Sequence, residues 1–386
     1  MTDAEERAAL AVVRSLGAAG YRVVVTSHDP RPLAGVSRFT ARCVHVPDPL
    51  ARPDEYARAI SDLCSREGAA ALIPVTEASI LAVLDRRDMI PARTLLPGPG
   101  IDAFRRLSDK RLLLETARAM GIAVPAQQVV ELAGLTESLG RDLKYPVVIK
   151  PARSVGAANG IRKKLGVEYA SGPDELQRKL EALSDAAFPV LLQERIVGPG
   201  VGVFLLMWDG TIRAEFAHRR IREKPPSGGV SVYRESVALH DGLREASRRL
   251  LEAFSWQGVA MVEYKVDAVS GTPYLMEVNG RFWGSLQLAI DAGVDFPVAL
   301  LECAAGKQHI SGPYRCGVRS RWFWGDVDSL LLRLRGTSNL PPDAPSLARS
   351  AFEFMRFWRE GDRFEVLRLS DPKPFLRETF RWFWRR

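Results

Sequence analysis

Two nearby segments, VEYKVD (262–267) and LMEVNGR (275–281), constrain the fold more than any other part of the chain. In the second segment, Glu277, Asn279 and Arg281 occupy alternate positions directly after an apolar run. Successive side chains of a β-strand point to opposite faces, so these three polar side chains should share one face. The pattern is typical of a half-buried strand with a solvated face, and also of a strand that carries a cluster of ligands.

A short turn (270–271) separates a strand predicted over 259–267 from a second strand predicted over 272–281. Antiparallel pairing through this turn would place Glu263 and Glu277 on one face of neighbouring strands. Two carboxylates at that distance repel each other unless something neutralises them, and a divalent cation is the simplest candidate. Carboxylate and amide oxygens, without Cys or His, suit Mg²⁺. These two strands alone leave a magnesium site and a surface ladder of charges equally open.

The composition is that of a globular chain. With 386 residues, of which 46% are hydrophobic, the chain is long enough for two or three domains. No stretch approaches the roughly 20 apolar residues of a membrane span. The opening MTDAEERAAL lacks the basic start and the apolar run of a signal peptide, so we expect a cytoplasmic protein. The four cysteines lack CxxC spacing and the five histidines form no HExxH motif, which predicts free thiols and no zinc site.

The positive charge is concentrated at one end of the chain. The net charge is +8, and from Gly312 onward there are 15 Arg and Lys residues against 9 Asp and Glu residues. The rest of the chain is close to neutral, which argues against a nucleic-acid groove along the main body.

Helices and strands are expected to alternate in roughly the first 100 residues, which predicts a parallel α/β sheet there. Thr2 and Glu5 have the spacing of a capping box, so a helix should start there and end between Gly17 and Gly20. The remaining elements expected in this region are a strand over 21–27, a helix over 54–66, a strand over 71–75 and a helix over 78–87. Further along, we expect a helix over 108–121, a hairpin around Asp209-Gly210 and a helix over 243–254.

Two lysines stand where a phosphate group could be held. Lys110 begins a predicted helix, and Lys150 ends the apolar strand YPVVIK and precedes the small-residue loop RSVGAANG (153–160). Backbone amides of such a loop can approach an anion closely. The loop is neither a Walker motif nor GxGxxG. Taken singly, each lysine is compatible with a solvated charge and the loop with a simple turn.

In combination, these motifs resemble the ATP-grasp ligases in order and spacing. The resemblance rests on Lys150 with its loop, on LLQERIVGPGVG, and on VEYKVD with MEVNGR, and it covers about residues 105–305. Within this family, the chain most resembles the carboxylate-amine ligases related to the large subunit of carbamoyl phosphate synthase. The resemblance implies an α/β (α+β) chain, with a Rossmann-like pre-ATP-grasp domain (1–104) and an ATP-grasp domain (105–305, lid subdomain about 122–192). An Arg- and aromatic-rich extension (306–386) would follow.

The resemblance assigns roles to individual residues. Lys110 and Lys150 would contact the nucleotide phosphates, and Ser154 to Gly160, including Gly156, would form a lid loop over them. Gln193, Glu194 and Ile196 would form the hinge that receives the adenine. Glu263, Glu277 and Asn279 match the magnesium ligands of the family, and Arg281 matches an arginine that stabilises charge on the reacting phosphoryl and acyl groups.

The chain departs from the family pattern in two places. GPGVGVF, after the hinge, contains no acidic residue, so the contact with the ribose is unassigned. The chain also opens on a helix where a pre-ATP-grasp domain usually opens on a strand, so either the fold lacks that strand or the natural start lies upstream.

The Arg-rich stretch 217–236 suits a solvated loop. Beside a phosphate site, Arg220 and Arg234 become candidates for binding the γ-phosphate or a substrate carboxylate.

The function implied by the resemblance is an ADP-forming, ATP- and Mg²⁺-dependent ligase, with Mn²⁺ as an alternative metal. It would act through an acylphosphate on a small-molecule carboxylate and an amine, or a thiol, and not on nucleic acid. A homodimer would be in keeping with the family. Alternatives are a phosphorylating or carbamoylating variant with another acceptor, and a protein that binds ATP without chemistry. The joint presence of Glu263, Glu277, Asn279 and Arg281 argues against the last alternative.

The C-terminal extension is rich in motifs such as RWFWG (321–325) and FRWFWRR (380–386). We expect these aromatic residues to pack the extension onto the body of the protein, with the arginines facing water. Contact with a membrane surface is the alternative.

Overall fold

The computed structural model describes residues 1–132, 143–158, 161–337, 340, 344–356 and 359–384. Helices and strands are mixed throughout these residues, which confirms the predicted α/β class. Short 3₁₀ turns over Ala34–Val36, Arg87–Met89 and Asp185–Ala187 join some of the longer elements.

The first hundred residues form a small parallel sheet with helices. They contain α1 (Arg7–Ala18), β1 (Val23–Ser27), β2 (Thr40–His45), α2 (Pro53–Glu67) and α3 (Glu77–Leu84). Strands β1 and β2 pair in parallel, as predicted. The predicted strand over 71–75 is wrong as a full strand, because only an isolated parallel bridge joins Ala71 to Leu95. Pro74 cannot donate a hydrogen bond, which keeps this pairing short. The predicted Rossmann-like character of the region stays a prediction.

The predicted capping box at Thr2 is also wrong. Helix α1 begins only at Arg7, and its N-cap, Glu6, makes no side-chain cap. The residues before it run along β1 instead: the Met1 ammonium donates to Val24 O at 2.8 Å. The Thr2 backbone N–H donates to Ile73 O at 3.2 Å, so tertiary contacts replace the predicted local cap.

A pair of helices leads into a four-stranded sheet. The predicted helix over 108–121 is α5 (Lys110–Ala119), which follows α4 (Ile101–Ser108) and starts at the N-cap Asp109. The sheet that follows has the order β3–β8–β4–β7, with β3 (Gln127–Val130), β4 (Val147–Pro151), β7 (Glu168–Ala170) and β8 (Val190–Glu194). The hairpin of β5 (Val155–Ala158) and β6 (Ile161–Lys164) follows β4, and α6 (Pro173–Glu181) packs on the sheet.

The largest sheet in the described part has seven strands, in the order β13–β12–β9–β10–β11–β14–β15. Its members are β9 (Gly200–Trp208), β10 (Thr211–Lys224), β11 (Val230–Ser236), β12 (Gly258–Val266), β13 (Pro273–Asn279), β14 (Arg319–Arg321) and β15 (Asp362–Phe364). The predicted hairpin at Asp209-Gly210 is confirmed, and both turn residues have positive φ, as a tight β9–β10 turn requires. The helices on this sheet are α7 (Asp241–Ala253), α8 (Leu286–Ala292) and α9 (Phe296–Ala304).

The C-terminal extension packs onto the body of the protein, as predicted, but Arg321 of the RWFWG motif is buried and Phe380 and Trp384 are exposed, so the predicted inward aromatics and outward arginines are wrong at these positions. It contributes β14 and β15 to the large sheet and adds α10 (Phe323–Leu334), α11 (Leu347–Met355) and α12 (Lys373–Trp384). Arg14 of α1 makes an ion pair with Asp371 at 2.9 Å, and Arg7 makes one with Glu365 at 2.6 Å. These pairs are largely buried, so the extension is part of the fold.

One hydrophobic core joins the N-terminal region to the large sheet. It includes Val12 of α1 and Val25 of β1 together with Phe204 of β9 and Leu286 of α8. The predicted domain boundaries at 104 and 305 stay predictions. No helix in the described part of the chain has the length and apolar character needed to cross a membrane.

Candidate functional site

The strands that contain most of VEYKVD and LMEVNGR form the floor of the site. Strands β12 and β13 pair antiparallel, and Glu263 lies directly opposite Glu277. The predicted pairing of these two carboxylates is therefore confirmed. The register shifts directly after this pair, between Glu263 and Tyr264, and such a bulge changes the direction of the side chains beyond it.

The alternating triplet forms a chain of hydrogen bonds along one face. Asn279 Nδ2 donates to Glu277 Oε1 at 2.9 Å, and Arg281 Nη2 donates to Asn279 Oδ1 at 3.1 Å. A further bond from Arg281 Nη1 to Phe282 O, at 3.0 Å, fixes the guanidinium. Carboxylate, amide and guanidinium are thus held together in a defined order.

Arg220 reaches the same floor from β10. Its Nη2 lies 2.5 Å from Glu263 Oε2, and its Nη1 lies 3.1 Å from Glu223 Oε1. A Cβ at Gly200 would come within 2.8 Å of Arg220 Cδ, so the arginine crosses the sheet where β9 has no side chain. Burial lowers the pKa of Arg220, but Glu263 and Glu223 outweigh that effect and raise it. The guanidinium is therefore charged and held against a predicted metal ligand.

Both predicted phosphate-binding lysines are brought to this floor. Lys110 lies at the start of α5, and its Nζ donates to Ser154 Oγ at 3.0 Å. Lys150 lies in β4, and burial lowers its pKa, against the opposing effect of the Glu277 and Glu263 carboxylates. The structure therefore places two buried ammonium groups, 40 residues apart in sequence, near enough to Glu277 for their charges to act on it.

The two carboxylates respond differently to these charges. Burial acts to raise the pKa of Glu277, but Lys110 and Lys150 outweigh it, so that the pKa is lowered. Burial raises the pKa of Glu263, and the neighbouring Glu277 raises it further, although Arg220 opposes both effects. Crowded negative charge at Glu263 is what a bound cation would relieve.

The donor set at this floor fits a hard divalent cation. Glu263, Glu277 and Asn279 offer only oxygen ligands, and two of the three are carboxylates. The described residues contain no group of three or more His, Cys, Asp or Glu side chains able to hold a metal. Such a site would therefore depend on the Asn279 amide, and on water or phosphate oxygens, which suits Mg²⁺.

The predicted hinge lies at the end of β8. Gln193 pairs with Gln127 of β3 and Val148 of β4, and its Nε2 donates to Gln127 Oε1 at 2.8 Å. Gln193 Oε1 is buried and has no hydrogen-bond donor among the residues that the structure describes. Glu194 lies 3.8 Å from Lys144, and Ile196 is buried. The hinge thus carries one buried acceptor that the protein leaves unused.

The β5–β6 hairpin contains most of the predicted lid loop, of which Asn159 and Gly160 lie outside the described residues. A Cβ at Gly156 would lie 2.3 Å from Ala186 O, so only glycine fits there. Arg162 reaches the N-terminal region, with Nη2 2.5 Å from Asp85 Oδ2. The hairpin therefore contacts the turn Asp185–Ala187, which precedes β8, through Gly156, and the N-terminal region through Arg162.

A cavity of about 230 Å³ adjoins Arg281. Its lining residues include Ser154 and Lys164 of the hairpin region and Glu77 at the start of α3. Burial raises the pKa of Glu77, and the charges of Lys110 and Arg281 oppose that shift. The other charged or titratable residues lining the cavity are Asp3, Glu5, Glu6, His28 and Asp48.

Arg234 does not join the other candidates. Its side chain is fully buried and makes an ion pair with Glu365 of the C-terminal extension. Burial lowers its pKa well below the usual value, and Nη1 donates to Ser231 O at 2.9 Å. In this arrangement the guanidinium holds the extension to β11.

Sequence reasoning missed Glu77 and Lys164 as residues that line the cavity beside Arg281. A carboxylate two residues after the segment ALIPV, at the start of a helix, was the available signal for Glu77. Lys164 is one of two adjacent lysines, and only the fold of the hairpin distinguishes it from its neighbour.

Comparison with known proteins agrees with this geometry. Residues 187–323 match the model of a family described as ATP-grasp in the biosynthetic pathway with Ter operon. Two relatives are a putative urea carboxylase of Emericella nidulans, 26% identical over 58% of this chain, and the mitochondrial methylcrotonoyl-CoA carboxylase subunit alpha of Oryza sativa, 27% identical over 70%. The chain spans 18% and 38% of the lengths of these two relatives.

Solved structures share the fold at low sequence identity. The L-amino acid ligase of Bacillus licheniformis has a TM-score of 0.60 at 16% identity, with 78% of this chain and 73% of that chain covered. The N5-carboxyaminoimidazole synthetase of Staphylococcus aureus has a TM-score of 0.62 at 14% identity, with 87% and 84% covered. The biotin carboxylase domain of the Hydrogenobacter thermophilus 2-oxoglutarate carboxylase, solved with MgADP and bicarbonate, has a TM-score of 0.62 at 16% identity, with 82% and 72% covered. The family model therefore identifies an ATP-grasp match over residues 187–323, and the solved structures show that the chain shares their fold.

Proposed function

We propose that this chain is an ATP-dependent, ADP-forming ligase that joins a carboxylate to an amine, or to a thiol, through an acylphosphate. The observation that carries the proposal is the convergence of the partly buried Glu263–Glu277 pair with the buried lysines Lys110 and Lys150. A floor with paired carboxylates and two ammonium groups suits a magnesium-bound polyphosphate better than it suits a structural ion pair.

The nucleotide would lie between the hinge and the floor. The unused acceptor Gln193 Oε1 can receive a hydrogen bond from the exocyclic amine of adenine, beside Glu194 and Ile196. Lys110 and Lys150 would neutralise phosphate oxygens, and the Ser154 hydroxyl lies within hydrogen-bonding distance of Lys110. The hairpin that contains Gly156 would cover the phosphates and exclude water.

Glu263, Glu277 and Asn279 would hold Mg²⁺, with Mn²⁺ as a substitute. The metal would supply charge neutralisation for the phosphate oxygens. Arg220 already neutralises Glu263, and on binding of nucleotide it could turn its charge toward the phosphates or toward a substrate carboxylate. We assign no such role to Arg234, because its guanidinium is engaged by Glu365.

The reaction needs no nucleophilic side chain. A carboxylate oxygen of the substrate would attack the γ-phosphorus, the bond to the β–γ bridging oxygen would break, and ADP would leave. The amine nitrogen would then attack the acyl carbon, expel phosphate and lose a proton. Arg281, held by Asn279, can stabilise negative charge in both steps.

The cavity beside Arg281 is the proposed substrate site. Its lining combines the Arg281 guanidinium and the Lys164 ammonium with five carboxylates, those of Asp3, Glu5, Glu6, Asp48 and Glu77. The carboxylates suit an amine substrate, and Arg281 and Lys164 suit the carboxylate to which it would be joined. The similar solved structures include an L-amino acid ligase and a carboxylase domain bound to bicarbonate, which makes amino acids and bicarbonate the first carboxylates to test.

The test is ADP release with Mg-ATP and hydroxylamine across a panel of amino acids, other carboxylic acids and bicarbonate. We expect one acid to give a hydroxamate, or bicarbonate to stimulate ADP release, and Glu277→Ala to abolish the signal. Binding of Mg-ATP is measured in parallel. Tight binding of Mg-ATP without ADP release across the panel would favour the alternative, a protein that binds ATP without chemistry.

A further inference from the structure

The last helix of the described chain, α12, exposes a stripe of large apolar side chains. Leu376 is 53% exposed, Phe380 69%, Phe383 62% and Trp384 89%. At 100° per residue these four positions fall within one third of the helix surface. Exposure of three aromatic rings on a single helix is unusual for a surface that faces only water.

The opposite face of α12 is already packed. The Trp382 ring stacks on Trp324 with a centroid distance of 4.2 Å, and Trp382 Nε1 donates to Asp328 at 2.8 Å. Glu378 accepts a hydrogen bond from Trp322 Nε1 at 2.7 Å. The orientation of the helix is therefore fixed, and the apolar stripe cannot turn inward without breaking these contacts.

Cations lie beside the apolar stripe. Lys373, Arg377 and Arg381 follow one another at four-residue spacing, and helical geometry places this row next to the row of Leu376 and Phe380. Glu378, the acidic residue of α12 in its described length, points to the packed face. The outward face of α12 is thus apolar on one side and positive on the other.

A groove of about 650 Å³ lies between α12 and the segment 29–36. Val36, Leu376, Phe380 and Trp384 give the groove an apolar lining, and Arg31, Lys373 and Arg377 are also among its lining residues. Asp29 lies at the groove as well, but it makes an ion pair with Arg381 at 2.8 Å. An apolar groove with positive charge beside it fits an acyl chain that ends in an anionic headgroup.

We propose that the outward face of α12 binds the surface of an anionic lipid bilayer. The aromatic residues would enter the interface between headgroups and acyl chains, and Lys373 and Arg377 would contact anionic headgroups. Charge complementarity selects this partner, since Asp29, the acidic side chain among the described residues that line the groove, already pairs with Arg381 and offers no acidic row to a second copy of the same face. The helix would lie on the bilayer surface and would not cross it.

The test is sedimentation of the full-length protein with extruded vesicles. Vesicles of phosphatidylcholine containing phosphatidylglycerol should bind at least about tenfold more protein than pure phosphatidylcholine, and added salt should weaken the binding. The double variant Phe380→Ser/Trp384→Ser should lose binding, and Arg377→Gln should weaken it on anionic vesicles. Leu369→Ser is the matched control, because Leu369 is 95% exposed but lies outside α12.

Thermal unfolding of each variant shows whether it folds. If the double variant does not fold, Trp384→Ser alone replaces it, since this side chain is the most exposed of the four. Absence of binding to anionic vesicles would overturn the proposal, and so would unchanged binding by the folded variants. Light scattering that shows a dimer converted to a monomer by Trp384→Ser, without vesicle binding by the wild type, would assign the face to self-association instead.

Discussion

Replacement of Glu277 by glutamine should affect stability and activity through the same charge. Glu277 is the carboxylate that Lys110 and Lys150 hold in its ionised form, so that its pKa is lowered despite burial. In Glu277→Gln the size of the side chain is kept, but two buried ammonium groups lose the negative charge that compensates them. We expect the free energy of unfolding at pH 7 to fall by about 1–3 kcal/mol, the range for leaving a buried polar group without its partner.

The effect on activity should be larger. Loss of a charge that acts on the reacting phosphates costs about 10²- to 10³-fold in kcat for comparable electrostatic groups. Chemical denaturation gives the stability change, and the hydroxamate assay gives kcat. Glu115→Gln is the matched control, because Glu115 lies exposed on α5 and makes the same change of charge.

The stability difference should depend on pH. A carboxylate with a lowered pKa in the folded state stabilises the protein above its unfolded pKa, about 4.3 for glutamate, and this contribution is lost as the pH falls through the folded value. The difference between wild type and Glu277→Gln should therefore be full at pH 7 and should shrink below about pH 4.3. A variant that is more stable than the wild type at pH 7, or that keeps kcat within a factor of about three, would refute the reasoning.

Three further substitutions separate the roles of other residues. Gly156→Ala places a Cβ 2.3 Å from Ala186 O, so we expect a raised KM for ATP and loss of protection of the hairpin in hydrogen exchange; unchanged KM and exchange would contradict the geometry. Arg234→Met should leave Arg7 as the remaining ion-pair partner of the buried Glu365. We expect urea titrations to show a free energy of unfolding that is lower by about 3–5 kcal/mol, with the Kd for ATP unchanged. Gln193→Met removes the buried acceptor at the hinge, and calorimetry should show weaker ATP binding without loss of thermal stability; equal affinity would place the adenine elsewhere.

Local sequence patterns correctly predicted the strands, hairpins and helices whose formation depends mainly on residues close together in sequence. The alternation in LMEVNGR and the turn before it were sufficient to pair Glu263 with Glu277, because a short turn limits the registers available to two strands. The Asp209-Gly210 hairpin followed in the same way from two residues that tolerate positive φ. Helices α2 and α7 also followed, since an apolar stripe with helical period is a local property.

The predictions were wrong or incomplete where a segment distant in sequence binds the same backbone or side-chain groups. Thr2 has the spacing of a helix cap, but its backbone is bound by Ile73, so the first helix starts later. The segment 71–75 has the composition of a strand, but Pro74 and the Leu95 partner limit it to one bridge. Arg220 and Arg234 are similar in sequence context, but the fold pairs the first with Glu263 of the floor and the second with Glu365 of the extension.

The sequence by itself determined the chemistry available at the floor: which oxygens, which lysines and which arginine lie on the strands and at the helix start. Tertiary structure alone decided which of these groups meet, that Glu77 and Lys164 line the adjoining cavity, and that one face of α12 packs while the other stays exposed. The physical reason is that residue type and periodicity act over a few residues, whereas burial and ion pairing join segments that are far apart in sequence, such as Arg220 with Glu263 and Arg234 with Glu365.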